Sequence, residues 1–292
     1  MDKLDLHIQF PMEYCNYNCS YCFQGKHVVP NNTEQKTTTT RFKIIFSFLN
    51  KLIEKSKYKQ VTLTLLGGEI TLFDLNEILN QLTTNKIIII KIMTNLSKPI
   101  DYYEKLLDNN KNLTFLFNIS LHREFLSYKN YKNKMLKLKQ LKKTFDNLKK
   151  IKTNIVVSNK TPILFLLKLK FFSILNDFSL RFITQENENK MEKLNFFHSP
   201  IYEVKKIKKT KINKITKKMY KKEQVYNLKN SYCIPEFTIT KDGEIRPECN
   251  TQWNYKKSIF NIKSLEELTE KKLLCTSNRC NCLNFRYNSL ND

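Results

Sequence analysis

Cys15-Asn-Tyr-Asn-Cys19-Ser-Tyr-Cys22 places three thiols on one short stretch with the spacing C-x3-C-x2-C. Thiolates hold iron–sulfur clusters, and a cubane needs four ligands to be saturated. Three close cysteines therefore leave one iron without a protein ligand, and an open metal position marks a catalytic rather than a structural site. The bland alternative is a structural zinc knuckle, which needs a fourth ligand and ordinarily a different spacing. Five further cysteines (Cys233, Cys249, Cys275, Cys280 and Cys282) lie near the end of the chain, with none between residues 23 and 232. A secreted disulfide framework is usually shorter and denser, so grouped thiols point to metal in a reducing compartment.

Glycine usage carries a second signal. The chain of 292 residues has no alanine and only four glycines, Gly25, Gly67, Gly68 and Gly243. Its 51 basic residues include only six arginines, and Asn, Ile and Phe abound. We read this as drift toward AT-rich codons, under which a glycine survives only where geometry demands it. Two survivors sit together in Leu66-Gly67-Gly68-Glu69. Glycine there permits positive φ or a close approach of backbone to a ligand. The alternative is a plain strand-to-helix turn.

The elements that must position these residues follow from periodicity. Strand patterns cover 6–10, 61–66, 87–93, 113–121, 151–157 and 178–184. Helical spacing relates Phe42, Ile45, Leu49, Leu52 and Ile53, and again Leu75, Ile78, Leu79 and Leu82. Thr161-Pro162 reads as a cap and first turn, opening a helix whose apolar face is Ile163, Leu167, Phe171, Ile174 and Leu175. Strands alternating with helices favour right-handed βαβ units and a parallel sheet. The expected fold is α/β, a partial, open (β/α)6 TIM-like barrel with a small cysteine-rich C-terminal domain. The boundaries are 1–200 for the barrel, 201–230 for a Lys-rich helical linker, and 231–292 for the cysteine-rich domain.

Net charge is +24, and Lys-rich segments run over 132–152 and 205–222. They read either as arms for nucleic acid or an acidic peptide, or as solvated helical faces on a lysine-biased protein; the second is favoured. No apolar stretch is long enough to span a bilayer, and 1–10 has no secretory character. The expectation is a cytoplasmic protein without a membrane partner.

The cysteine loop, with aromatic Tyr21 before its last cysteine, resembles the radical S-adenosylmethionine (SAM) superfamily. By that resemblance Cys15, Cys19 and Cys22 hold a [4Fe–4S] cluster whose open iron binds SAM. Reductive cleavage then gives methionine and a 5′-deoxyadenosyl radical that abstracts hydrogen from substrate. The family's Gly-Gly-Glu motif, here Gly67-Gly68-Glu69, contacts the SAM amino group, although Ile70 replaces the proline that often follows. Thr94-Asn95 stands where the family carries Thr-Asn-Gly, with Leu96 replacing the glycine. Ser120 and His122 end the fourth strand, where the family places polar contacts to the SAM ribose. Asn159 follows the fifth strand, where it would face the adenosyl group, and His122 is a candidate acid or base. With Tyr21, these complete the cofactor-binding set that the resemblance implies.

The tail reads as a hairpin at 237–246 with an Asp242-Gly243 turn, then a short helix around 265–274. Cys233 precedes the hairpin and Cys249, Cys275, Cys280 and Cys282 follow it. This resembles the SPASM and twitch extensions of radical SAM enzymes, which bind auxiliary [4Fe–4S] clusters. One auxiliary cluster would use four of the five cysteines, leaving a free thiol or hydrogen donor; zinc is the rival metal. The resemblance implies a peptide or protein substrate and a flavodoxin or ferredoxin-type electron donor. The alternatives are a radical SAM enzyme acting on a nucleotide, tRNA or sugar, and a non-catalytic zinc protein that binds nucleic acid.

Overall fold

The computed structural model describes residues 2–22, 27–157, 161–184, 232–233, 237–247, 257–269 and 273–274. Alternating strands and helices run through its first part: β1 (Lys3–Gln9), α1 (Asn32–Lys55), β2 (Gln60–Leu66), α2 (Leu75–Leu79), β3 (Ile87–Thr94), α3 (Ile100–Asn109), β4 (Thr114–Leu121), α4 (Tyr128–Thr144), β5 (Leu148–Val157), α5 (Ile163–Leu175) and β6 (Ser179–Thr184). Strands β1 to β6 pair in sequence order and in parallel. Each crossover brings a helix back onto the sheet, and the result is the open α/β barrel expected from the strand spacing.

The strands place alternate residues on the helix-covered face. In β4, Phe115, Phe117, Ile119 and Leu121 are buried, whereas Thr114, Leu116, Asn118 and Ser120 are half-buried on the other face. Helix α1 begins at a capping box in which Asn31 accepts from the Glu34 N–H and Glu34 accepts from the Asn31 N–H. Its buried stripe of Phe42, Ile45, Phe46, Leu49, Leu52 and Ile53 follows the spacing expected for an amphipathic helix. Phe42 stacks on Phe10, with ring centroids 4.0 Å apart, and so holds the end of β1 against α1.

Beyond β6 the described residues include β7 (Tyr232–Cys233), β8 (Phe237–Ile239), β9 (Glu244–Pro247), β10 (Lys257–Ser258), α6 (Glu266–Thr269) and β11 (Leu273–Leu274). The hairpin β8–β9 turns at Asp242-Gly243 as its sequence demands, with Gly243 at φ +76°. Strand β8 pairs in parallel with β1 and extends the barrel sheet to the order β10-β9-β8-β1-β2-β3-β4-β5-β6. An open barrel leaves the backbone of its first strand unpaired on one side, and β8 satisfies it. The helix expected around 265–274 spans only Glu266–Thr269, because Leu273–Leu274 pair instead with Tyr232–Cys233.

Helix α5 corrects the expected apolar face. Its buried residues are Leu166, Leu169, Phe172 and Ser173, while Phe171, Ile174 and Leu175 are exposed. The sequence Ile-Leu-Phe-Leu-Leu-Lys-Leu-Lys-Phe-Phe-Ser-Ile-Leu is apolar nearly all round, so periodicity does not choose a face. Nor does Thr161 cap the helix: Pro162 occupies the N-cap, which makes no side-chain hydrogen bond. Leu166 is 2% exposed and Leu164 is 72% exposed. Leu166→Ala is therefore expected to cost about 2–5 kcal/mol in urea denaturation, and Leu164→Ala within about 0.5 kcal/mol. Equal losses would mean that α5 is seated otherwise.

The lysines of α4 are mostly solvated, as the bias reading expects, over a buried stripe of Tyr131, Met135, Leu138 and Leu141. Lys139 is half-buried and donates to Asn176 at 3.3 Å, and Lys134 is tied down further. Its ammonium donates to the carbonyls of Leu96, Ser97 and Lys98 at 2.6, 3.2 and 3.1 Å and closes the loop after β3. The segment 205–222 lies outside the described residues. Among the described residues no helix is long and apolar enough to cross a membrane.

Candidate functional site

The cysteine loop leaves the carboxyl end of β1, the rim where barrels of this kind bind ligands. It is stitched to the segment that follows it. The Cys15 N–H donates to the Val28 carbonyl at 3.0 Å, and the Val28 N–H donates to Glu13 at 3.0 Å. The far side of the loop is tied to the end of β4, where Glu124 accepts from the Ser20 N–H at 2.8 Å and from the Ser20 hydroxyl.

Two glycines let the next strand end pass beneath this loop. A Cβ on Gly67 would stand 2.7 Å from the Phe10 carbonyl oxygen, and one on Gly68 would overlap the Tyr14 carbonyl oxygen. The Gly68 N–H donates to Pro11 at 3.3 Å, and the Glu69 N–H donates to Tyr14 at 2.8 Å. The coding bias thus spared these glycines for close packing between the ends of β1 and β2.

Glu69 is buried and joins β2 to β3. One carboxylate oxygen accepts from the Thr71 N–H at 3.1 Å, the Thr71 hydroxyl at 2.5 Å and the Thr94 hydroxyl at 2.8 Å. The other accepts from the Asn95 N–H at 2.6 Å. Burial pushes its pKa up, and these hydrogen bonds oppose the rise without cancelling it. The Asn95 amide in turn donates to Asn16 at 2.9 Å and lies 3.8 Å from Cys15 Sγ. Leu96, at the position of the expected glycine, adopts φ +57° with its side chain buried. Left-handed backbone costs a non-glycine residue about 1–2 kcal/mol, less than burial of a leucine contributes.

The three thiols are half-buried and none forms a disulfide. Burial pushes the Cys15 thiol up, and the charges of Glu69 and Cys22 add to it, against hydrogen bonds from the Tyr17 and Asn16 N–H groups. Cys19 is pushed up to about 12 by burial and by the fields of Cys22 and Cys15, against a hydrogen bond from Tyr21. Three thiolates cannot coexist there without cations to neutralise them, and metal binding to thiols releases their protons. Among the described residues no set of three His, Cys, Asp or Glu surrounds a point as the ligands of one ion. A cubane takes one thiolate per iron, so three thiolates on one loop would ligate three of its irons. This donor set fits a [4Fe–4S] cluster with one open iron.

An aromatic wall flanks the thiols. His122 Nδ1 lies 3.1 Å from Cys19 Sγ and 2.8 Å from the Tyr21 hydroxyl, and its ring lies parallel to Tyr21 with centroids 5.9 Å apart. Burial lowers His122 to about 4, so it is neutral at physiological pH. Tyr17 stacks on Phe125 with centroids 4.5 Å apart and meets His122 edge-on. Cys22 Sγ lies 2.9 Å from His27 Nε2, a contact that periodicity and motif spacing gave no reason to expect. The pointer available in the sequence was that His27 is one of four histidines and lies five residues beyond Cys22.

The fold thus gathers Cys15, Cys19, Cys22, Tyr21, Gly67, Gly68, Glu69, Thr94 and Asn95 at one rim. Ser120 is half-buried in β4, paired with Asn154 of β5. Asn159, Cys249, Cys275, Cys280 and Cys282 lie outside the described residues. Cys233 pairs through its backbone with Leu273, two residues before Cys275 in the chain.

An open α/β barrel with three cysteine thiols on the loop at the carboxyl end of its first strand defines the class. Residues 10–167 match the Radical SAM superfamily, and the chain belongs to it. It is a radical SAM enzyme, and the family implies a [4Fe–4S] cluster and SAM. Among solved structures it resembles anSMEcpe with bound AdoMet and the Cp18Cys peptide, with 17% identity, a TM-score of 0.54, and coverage of 92% of this chain and 80% of that one. It also resembles SuiB of Streptococcus suis, with 16% identity, a TM-score of 0.53, and coverage of 91% of this chain and 65% of that one. SuiB bound to its precursor peptide SuiA is similar at 15% identity and a TM-score of 0.51. The chain therefore spans less than two thirds of SuiB, and at these identities the likeness is one of fold. No curated protein matches the sequence.

Proposed function

We propose that Cys15, Cys19 and Cys22 hold the [4Fe–4S] cluster of this enzyme and that its substrate is a peptide or protein. The observation that carries the first part is the loop itself: three half-buried thiols lie within one another's fields on a backbone stitched to β2, β3 and β4. The chemistry supplied by the cluster with SAM is reductive cleavage of SAM to a hydrogen-abstracting 5′-deoxyadenosyl radical. The protein's part is to hold and orient. Gly67 and Gly68 keep backbone close to the loop, the Glu69–Thr94–Asn95 network sets the rim, and Tyr21 with His122 walls one side. Ser120 and Asn159 are the proposed contacts toward the adenosyl group.

The peptide reading draws support from the fold shared with anSMEcpe and SuiB, each of which has been captured with a peptide. For the tail we propose an auxiliary [4Fe–4S] cluster on four of Cys233, Cys249, Cys275, Cys280 and Cys282, in a domain over 231–292. The pairing of Cys233 with the strand that leads into Cys275 supports it. A flavodoxin or ferredoxin-type protein would supply the electron.

Anaerobic reconstitution with iron and sulfide, then dithionite and SAM, tests this. The wild type is expected to form 5′-deoxyadenosine and to hold about eight irons per chain, the content of two cubanes. The Cys15/Cys19/Cys22→Ala variant is expected to lose about four irons and all SAM cleavage. A wild type holding about four irons, all lost in the variant, would remove the auxiliary cluster. Bound zinc with no SAM cleavage would overturn the assignment of the loop.

A further inference from the structure

His27 belongs to no motif, yet it is buried against the loop. Its Nε2 lies 2.9 Å from Cys22 Sγ, and among the described residues its buried Nδ1 has no hydrogen-bond partner. The residue is fixed from both sides. Its backbone N–H donates to Asn18 Oδ1 at 2.8 Å, and the next residue, Val28, exchanges hydrogen bonds with Glu13 and Cys15. The ladder that places Cys15 therefore also places this ring.

The two nitrogens decide what the contact does. A neutral imidazole carries one proton, on one nitrogen or the other. A buried N–H without an acceptor is strongly disfavoured, whereas a bare ring nitrogen loses less on burial. The partnerless Nδ1 is thus the bare one, and the proton sits on Nε2, facing the sulfur. A donor aimed at a ligating thiolate withdraws negative charge from it. That favours the more negative, reduced form of the cluster, since hydrogen bonds to sulfur set cluster potentials.

We propose that His27 is a positioning residue that donates its Nε2–H to the Cys22 thiolate and raises the reduction potential of the cluster, a role that rests on the reading of Cys15, Cys19 and Cys22 as its ligands. The other two thiols have donors of their own nearby. The Tyr17 N–H lies 3.4 Å from Cys15 Sγ, and Tyr21 donates toward Cys19. His27 extends the set to the third ligand, so that each thiolate bound to iron meets a donor held by the fold.

The test uses His27→Phe, which keeps the bulk and removes both nitrogens, and His27→Gln, which offers an amide N–H at similar reach. Reconstituted wild type and variants are compared by iron content and by EPR-monitored redox titration. His27→Phe is expected to hold as much iron as the wild type with its midpoint potential shifted negative, and His27→Gln to stay near the wild type. A His27→Phe protein with full iron and an unshifted potential would overturn the role, as would His27→Gln shifting as far as His27→Phe. Nitrogen-15 NMR of the metal-free wild type gives an independent reading: a proton on Nε2 supports the proposal and one on Nδ1 overturns it. Failure of the wild type to take up iron would instead refute the ligand assignment, and the NMR result would still decide whether the nitrogen facing Cys22 carries the proton.

Discussion

Glu69→Ala is expected to destabilise the protein by about 2–6 kcal/mol, the cost of leaving the Thr71 and Asn95 N–H groups buried without an acceptor at about 1–3 kcal/mol each. The hydroxyls of Thr71 and Thr94 can turn elsewhere, and Thr94 already lies 3.3 Å from the Tyr103 hydroxyl. Backbone N–H groups cannot turn. Glu69→Gln should lose less. Its carbonyl can serve the three donors on one side, but its amide N–H2 then faces the Asn95 N–H, a repulsion of two donors worth about 1–3 kcal/mol. Urea denaturation of the metal-free protein measures both.

The same carboxyl makes a pH prediction. Burial raises its pKa in the fold above the ordinary carboxyl value of 4.5, so the folded protein holds this proton more tightly than the unfolded chain does. Stability from that source is fully present below the unfolded value and is lost as pH rises through the folded one. The stability of the wild type relative to Glu69→Gln should therefore fall as pH rises from about 4.5. A difference that is flat across that range would mean Glu69 ionises as freely in the fold as in the unfolded chain.

Gly68→Ala is expected to act on the cysteine loop rather than on Gly68 alone. The new methyl would overlap the Tyr14 carbonyl oxygen, which is backbone and cannot rotate aside. Relief requires residues 11–15 to lift, which breaks the Glu69 N–H to Tyr14 bond and displaces Cys15. Overpacking of this kind costs about 1–3 kcal/mol. The larger effect should be on metal: iron uptake on reconstitution should fall well below the wild type. Wild-type iron content with unchanged stability would show that the loop is not seated on the glycine turn.

Much of this was legible in the linear chain because it is local. The alternation of buried and half-buried residues in β3 and β4 depends on a two-residue period, and both spans were expected to within a residue. The three cysteines lie on one loop whatever the rest of the chain does, and Asp242-Gly243 specifies a tight turn by its own backbone preference. The spared glycines announced a close approach without naming what approaches.

The face of α5 was not legible, since an apolar run offers two stripes and only contact with Tyr128, Tyr131 and Phe178 selects one. Nor was the hairpin's place beside β1, because strand pairing across more than two hundred residues leaves no trace in either segment. The sequence by itself determined an α/β barrel with a trio of thiols after its first strand, through periods and spacings that each segment carries alone. Tertiary structure alone decided that Glu69 ties two strand ends together and that His27 meets Cys22, because burial and hydrogen-bond partnership belong to residues brought together from separate elements.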